Sequence, residues 1–248
     1  MQAVVLAAGF GERLHPLTRK VPKALLEVGG KPVIDRLLDF LRASPLIDTI
    51  HIRTNASYYS IFKDWLKGCD HMGSVELSSN RAYVPEERLG AIGDIEDVCS
   101  RKRFREDIMV VAGDNIFNFP VAPFMDFCAG KEGDVVAVME STDRRALKFG
   151  GVVVVTSDDR VIDFEEKPKK PKSRFLALPL YRLSAESIPF LNRYLVEGND
   201  PDRIGAFFAW SYRRRPLFAF KADGGRYHLT DVTSYRKICS SFEKDLRA

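Results

Sequence analysis

The 248-residue chain is expected to form an α/β fold on a doubly wound, mixed but mostly parallel sheet. Three observations predict it. Short apolar runs alternate with segments of helical periodicity through the first half. The first apolar run breaks into a glycine-rich loop that carries Arg and Lys. A later one, Ile108–Ala112, breaks into Gly113-Asp114-Asn115. Ligands of such sheets sit beyond the C-terminal ends of the strands, where both breaks fall.

In chain order, Val4-Val5-Leu6-Ala7-Ala8 reads as a buried strand. Val33, Ile34, Leu37, Leu38 and Leu41 recur at helical spacing, with Asp35, Arg36, Asp39 and Arg42 on the other side. Thr49–Thr54 alternates as a strand with Ile50 and Ile52 pointing one way, and a helix follows around Tyr58–Lys67. Gly90–Ser100 reads as a helix with Ile92, Ile95, Val98 and Cys99 inward, and Ile108–Ala112 and Asp134–Met139 as continuous apolar strands. The second half opens with a hairpin, Gly150–Thr156 and Arg160–Phe164, turned by Ser157-Asp158-Asp159. Phe175–Leu183 is then a strand, Ser184–Glu197 and Arg203–Arg214 are helices, and a last helix begins near Asp231. With no linker, repeat or low-complexity tract, residues 1–248 are expected to form one domain.

A hydrophobic content of 45% and a charged content of 29% are ordinary for a soluble globular protein. The net charge of +4 is too mild for a nucleic-acid binder, yet it suits a protein that handles polyanions. The basic runs Lys167–Lys172 and Arg213–Arg215 read as solvated loops or phosphate-facing residues. Cys69, Cys99, Cys128 and Cys239 are far apart and lack metal-type pairing, which predicts reduced thiols, no structural zinc and a cytoplasmic location. The apolar run Ala3–Ala8 lacks a basic leader and is too short for a signal peptide, and no segment is long enough to cross a membrane. His15, His51 and His71 are expected to be structural or surface residues.

The loop after the first strand, residues 6–23, presents backbone N–H groups and fixed cations to a phosphate. Gly9 and Gly11 leave room for the ligand, Arg13 can grip phosphate oxygens in a fork, and Lys23 can act on them as a point charge. The loop lacks the Gly-Lys-Ser/Thr of the P-loop, and Leu14 stands where the dinucleotide fingerprint needs its third glycine. The pattern that fits runs over Gly9, Gly11, Arg13, Leu14, Pro16, Leu17, Thr18, Pro22 and Lys23. On this stretch the chain resembles the sugar-nucleotide pyrophosphorylases, the sugar-1-phosphate nucleotidyltransferases.

The resemblance implies a Rossmann-like fold of the nucleotide-diphospho-sugar transferase type with a sugar-binding β-insertion. Residues 1–140 would mainly bind the nucleotide, and 141–248 the sugar phosphate. It places Leu6, Ala8, Gly9, Gly11 and Glu12 around the nucleotide, with Arg13 and Lys23 on its phosphates. Val110–Phe117 contains Gly-Asp-Asn-Ile-Phe, which resembles the thymidylyltransferase branch and implies that Asp114 binds Mg²⁺. Arg88–Ile95 is similar to the family's nucleobase segment, which carries over Gly90. Asn80 falls where many relatives place a base-reading Gln. Glu165-Glu166-Lys167-Pro168 implies that Glu166 meets sugar hydroxyls and Lys167 the sugar phosphate, with Gly151 giving the backbone close approach.

The implied reaction is attack of a sugar-1-phosphate oxygen on the α-phosphorus of a nucleoside triphosphate, with Mg²⁺ as cofactor and neither nucleic acid nor membrane as partner. A homo-oligomer is a common state of such enzymes. The chain's end soon after the last helix is expected to leave no room for the β-helix domain of some relatives. Two departures stand out. Glu12 replaces a Thr found in many relatives. The tail places His228 where a second metal-binding Asp is expected, and Asp231 three residues on, where it would more naturally cap a helix. Three outcomes stay open: a metal held by Asp114 and phosphates alone, recruitment of Asp231, or weakened activity. Two further readings compete, a catalytically silent sugar-nucleotide binder and a transferase for another phosphate such as heptose, mannose or choline phosphate.

Overall fold

The structure, a computed structural model, describes residues 1–69 and 72–245, so His71 and Ala248 lie outside the described residues. β1 (Gln2–Ala7) runs through the glycine-rich loop into a small ladder of β2 (Glu27–Val28) and β3 (Lys31–Pro32). There follow α1 (Val33–Arg42), β4 (Thr49–Thr54), α2 (Ala56–Lys67), β5 (Val75–Ser79), α3 (Gly90–Lys102), β6 (Ile108–Ala112) and β7 (Asn115–Phe117). Next come α4 (Ala122–Ala129), β8 (Asp134–Glu140), α5 (Arg144–Phe149), β9 (Gly151–Val155), β10 (Val161–Glu166) and β11 (Phe175–Leu183). The chain continues through α6 (Ile188–Val196), α7 (Ile204–Ser211), β12 (Leu217–Lys221), β13 (Arg226–His228) and α8 (Val232–Asp245).

The main sheet has nine strands in the order β10-β9-β11-β6-β1-β4-β5, with β8 also paired to β11, and β12 to β8. β1 lies parallel between β4 and β6, β5 extends β4 in parallel, and β12 runs parallel to β8. β11 is antiparallel to β6, β8 and β9, and β10 to β9, so β10 and β11 alone oppose the other seven of the nine. The sheet is therefore mixed and mostly parallel, as expected. The second half continues this sheet: β11 sits directly beside β6. Its register with β8 shifts between Ala177 and Tyr181, around Pro179, which has no N–H to give to a ladder.

The apolar pattern of α1 is fulfilled, since Val33, Ile34, Leu37, Leu38 and Leu41 are all fully buried. Ile34, Leu37, Leu38 and Leu41 share one core with Ile50 and Ile52, and a second core on the other face holds Ile92, Ile95, Val98 and Phe208. A third, smaller core joins Leu14 of the glycine-rich loop to Ile116, Leu229 and Ile238. The expected helix over 184–197 is a short 3-10 turn, Ala185–Ser187, followed by α6, because Pro189 fits only the first turn of an α-helix. None of the four cysteines is in a disulfide among the described residues, and burial pushes the Cys99 and Cys128 thiols up to about 12. Among the described residues no helix is long and apolar enough to cross a membrane.

β4 has a second buried face that its alternation does not announce. His51 and Arg53 are buried there, as expected of an interior parallel strand covered on both sides. Arg53 donates to Asp94 Oδ1 at 3.0 Å and to the Ser79 carbonyl at 2.8 Å, and pairs with Asp97. Removing one partner of a buried ion pair strands the other charge, so Arg53→Ala is expected to cost about 3–5 kcal/mol in urea unfolding. A loss below about 1 kcal/mol would show that this network does not hold α3 to the sheet.

Candidate active site

An open cavity of about 520 Å³ lies beyond the C-terminal ends of β1 and β6, against the start of α3. Leu6, Ala8, Gly9, Gly11, Glu12, Arg13, Lys23, Gly90 and Asp114 all line it. Asn80, Gly151, Glu166, Lys167, His228 and Asp231 are not among its lining residues.

The glycine-rich loop is held from below. Gly11 has φ +68°, and a Cβ there would press within 3.0 Å of the Thr18 side chain, which fixes the glycine on both counts. Thr18 donates its hydroxyl to the Gly11 carbonyl at 2.7 Å, and the Leu14 N–H donates to the same oxygen at 2.8 Å. The Tyr58 hydroxyl reaches the carbonyls of Phe10 (3.0 Å) and Thr18 (2.8 Å). Asn55 donates to the Ala8 carbonyl at 3.0 Å while its Oδ1 caps α2 through the Tyr58 N–H. Sequence reasoning missed Asn55 and Tyr58. An Asn directly before a helical run is a cap signal, but nothing local says that its amide also reaches the loop. Arg13 is exposed and has no ion pair among the described residues.

At the other side of the cavity Lys23 Nζ donates to Asp114 Oδ2 in an ion pair. Asn115 Nδ2 donates to Asp114 Oδ1 at 2.7 Å and to the Ala112 carbonyl at 3.1 Å, and its Oδ1 accepts from Arg226. β13 pairs antiparallel with β7 and sets His228 opposite Asn115, which leaves His228 Nε2 3.3 Å from Asp114 Oδ2. Burial works to raise the Asp114 carboxyl, but the Lys23 ammonium, followed by His228, overrides it and holds the group well below the usual carboxylate range. Burial lowers the His228 pKa against the pull of Asp114. Arg226, two residues from His228 and so on the same strand face, was not anticipated. Asp231 is exposed and accepts the Ser234 N–H at 2.8 Å at the start of α8, while its own N–H donates to Ser234 Oγ at 2.9 Å.

Asn80 does not line the cavity: Nδ2 donates to Asp94 Oδ2 at 3.3 Å and Oδ1 accepts the Ala82 N–H at 3.0 Å. Asp94, unforeseen, lines the cavity in its place. Gly90 has φ +79°, and a Cβ there would fall 2.5 Å from the Pro201 carbonyl. This close approach, with the Ile92 N–H donating to Pro201 at 2.8 Å and Arg88 pairing with Asp202 at 3.3 Å, brings Asp202 and Ile204 to the cavity wall.

Glu166, at the end of β10, lies against two glycines: a Cβ on Gly205 would be 2.0 Å from its Oε2, and one on Gly151 3.2 Å. Burial, opposed by Lys167 and Arg203, raises the Glu166 pKa. Lys167 follows with φ +52°, is exposed, and donates its N–H to the Gly150 carbonyl at 3.0 Å.

A carboxyl with a raised folded-state pKa binds its proton more tightly when folded, so the cost of ionising it is absent below the unfolded value of about 4.3 and complete above the folded value. Glu166→Gln is therefore expected to raise stability at pH 7 and to leave it nearly unchanged at pH 4, as read by thermal unfolding. Equal effects at both pH values would contradict this.

Residues 2–218 match the family model of nucleotidyl transferases. A Sulfolobus acidocaldarius protein provisionally named a mannose-1-phosphate guanyltransferase is 31% identical over 187 residues, 75% of this chain and 49% of that protein. A Thermotoga maritima glucose-1-phosphate adenylyltransferase is 27% identical over 262 residues, 94% of this chain and 58% of that protein. The chain thus spans about half the length of the curated relatives it matches. A Bacillus anthracis structure provisionally named a glucose-1-phosphate thymidylyltransferase, in complex with a sucrose, superposes with a TM-score of 0.81 at 24% identity, covering 98% of this chain and 95% of that one. The names of these relatives span guanylyl, adenylyl and thymidylyl transfer, so the thymidylyl branch is not singled out. The chain belongs to the nucleotidyl transferase family.

Proposed function

We propose that this chain transfers a nucleotidyl group from a nucleoside triphosphate to a sugar-1-phosphate, releasing pyrophosphate. The observation that carries the reading is the single cavity in which Arg13, Lys23 and Asp114 meet the glycine-rich loop. The sugar-phosphate oxygen is already anionic at neutral pH, so no general base is needed. Its bond to the α-phosphorus forms as the bond to the β-phosphate oxygen breaks, and the pyrophosphate takes the electron pair. The protein's task is to bring two polyanions together and to stabilise charge in line. Arg13, exposed in the cavity and without an ion pair among the described residues, suits the departing pyrophosphate. Lys23 suits the α-phosphate. Glu166 and Lys167, at one strand end, suit the sugar hydroxyls and its phosphate.

Among the described residues no group of three or more His, Cys, Asp or Glu side chains could hold a metal. The donors present, the Asp114 carboxylate and the His228 imidazole 3.3 Å away, do not fit a cage made of protein alone. They do fit a Mg²⁺ that draws its other ligands from phosphate and water. When bound, Mg²⁺ supplies neutralisation of phosphate charge. Asp231 is spent on the cap of α8, which favours a metal held by Asp114 and phosphates. The imidazole in place of a second carboxylate also motivates the competing reading, a sugar-nucleotide binder without turnover.

Incubation with Mg²⁺, each common nucleoside triphosphate and a panel of sugar-1-phosphates is expected to release pyrophosphate with at least one pair. No release with any pair would favour the silent binder. Lys23→Ala and Asp114→Asn are each expected to lower turnover about 100-fold or more while circular dichroism stays native. His228→Asp supplies a second hard oxygen donor and is expected to lower the Mg²⁺ concentration for half-maximal rate; an unchanged Mg²⁺ dependence would mean that His228 does not face the metal.

A further inference from the structure

A second cavity, also of about 520 Å³, opens where α5 meets the loop between β10 and β11. Its walls carry six cations, Arg144, Lys148, Lys169, Lys170, Lys172 and Arg174, and no carboxylate. Two of the six have counter-charges outside the cavity. Lys172 pairs with Asp163 and Glu165, each at 2.7 Å, and Arg174 has Glu140 at 3.9 Å. For Arg144, Lys148, Lys169 and Lys170, no carboxylate of the described residues lies within ion-pair distance. The nearby Asp143 is used elsewhere, since its Oδ1 caps α5 through the Arg145 N–H at 2.8 Å.

Four cations around one concavity repel one another unless an anion joins them. The backbone makes the gathering systematic. The Ser141 N–H donates to the Arg174 carbonyl at 2.9 Å, which ties the end of β8 to the start of β11. Pro168 and Pro171 bracket Lys169 and Lys170 in the connecting loop and restrict its backbone. Thr142 also lines the space, and its hydroxyl is a group able to donate to oxygen. The shape is a bounded concavity as large as the nucleotide cavity, not an extended stripe, so it suits a small ligand and not a nucleic-acid duplex.

We propose that this cavity is a second, non-catalytic anion site, and that it takes a small ligand carrying two or more phosphate groups. Four uncompensated cations match the charge of a diphosphate or triphosphate and exceed what one orthophosphate can neutralise. The site shares no lining residue with the first cavity and stands whether or not the transferase reading holds.

The test is calorimetric titration of the full chain with inorganic tripolyphosphate, in metal-free buffer at fixed ionic strength. The wild type is expected to bind at two sites per chain. The variant K148A/K169A/K170A keeps one, and R13A/K23A keeps the other. K63A/K67A, which removes two exposed lysines of α2, leaves both. Orthophosphate is expected to bind the second site at least about tenfold more weakly than tripolyphosphate. As a readout independent of variants, tripolyphosphate protects Lys148, Lys169 and Lys170 from acylation in a mass-spectrometric footprint. Unchanged stoichiometry in the triple-lysine variant, or no protection at these lysines, overturns the proposal; equal orthophosphate binding overturns the requirement for more than one phosphate. If the transferase reading fails instead, R13A/K23A keeps both sites while the triple-lysine variant still loses one.

Discussion

The ion pair between Lys23 and Asp114 is the interaction on which the rest of the site is arranged. β1 and β6 are neighbours in register, with Leu6 opposite Ala112, so the loops that leave them must diverge around the same space. The ion pair closes that space on one side and joins loop to loop. It draws in a surround that would otherwise have no reason to assemble: Asn115 on one carboxylate oxygen, His228 on the other, and Arg226 behind Asn115. A half-buried pair of this kind adds little net stability, because desolvation consumes most of the Coulombic gain. Its value is positional, since it keeps a cation and a carboxylate at the mouth of the cavity without a ligand.

The scaffold separates two electrostatic environments along one sheet edge. On the loop side, Arg13 and Lys23 face the cavity, and the Asp114 carboxyl is held ionised. On the β10 side, Glu166 is pressed against Gly151 and Gly205, where burial disfavours its charge. A desolvated carboxylate would gain from a ligand that offers it hydroxyl donors, the role proposed above for Glu166. The third core, from Leu14 to Ile238, ties the glycine-rich loop to α8, so the chain's last helix bears on its first loop.

Interior strands were legible in the sequence from end to end. Ile108–Ala112 and Phe175–Leu183 match β6 and β11 end to end, because an interior strand is a continuous apolar run bounded by polar residues. The loop motif was legible because Gly11, Thr18 and Leu14 each answer a local steric or packing demand. What escaped depends on contacts between distant residues. β7 and β13 are three residues each and exist only by pairing with one another. Asn80 carries a base-reading position by resemblance, yet its amide is claimed by Asp94, which Arg53 holds from a strand far away in sequence. Arg226 gave only the weak signal of strand alternation with His228, and that signal needed the register of β13 to be known first.

The central claim is that Lys23 and Asp114 are counter-ions for each other only until a nucleoside triphosphate and Mg²⁺ take over both. A double-mutant cycle with Lys23→Met and Asp114→Asn, read by thermal unfolding with and without those ligands, measures this directly. The account predicts a coupling of about 1 kcal/mol or more in the free protein that falls toward zero at saturating triphosphate and Mg²⁺. A coupling that is unchanged by the ligands would contradict it.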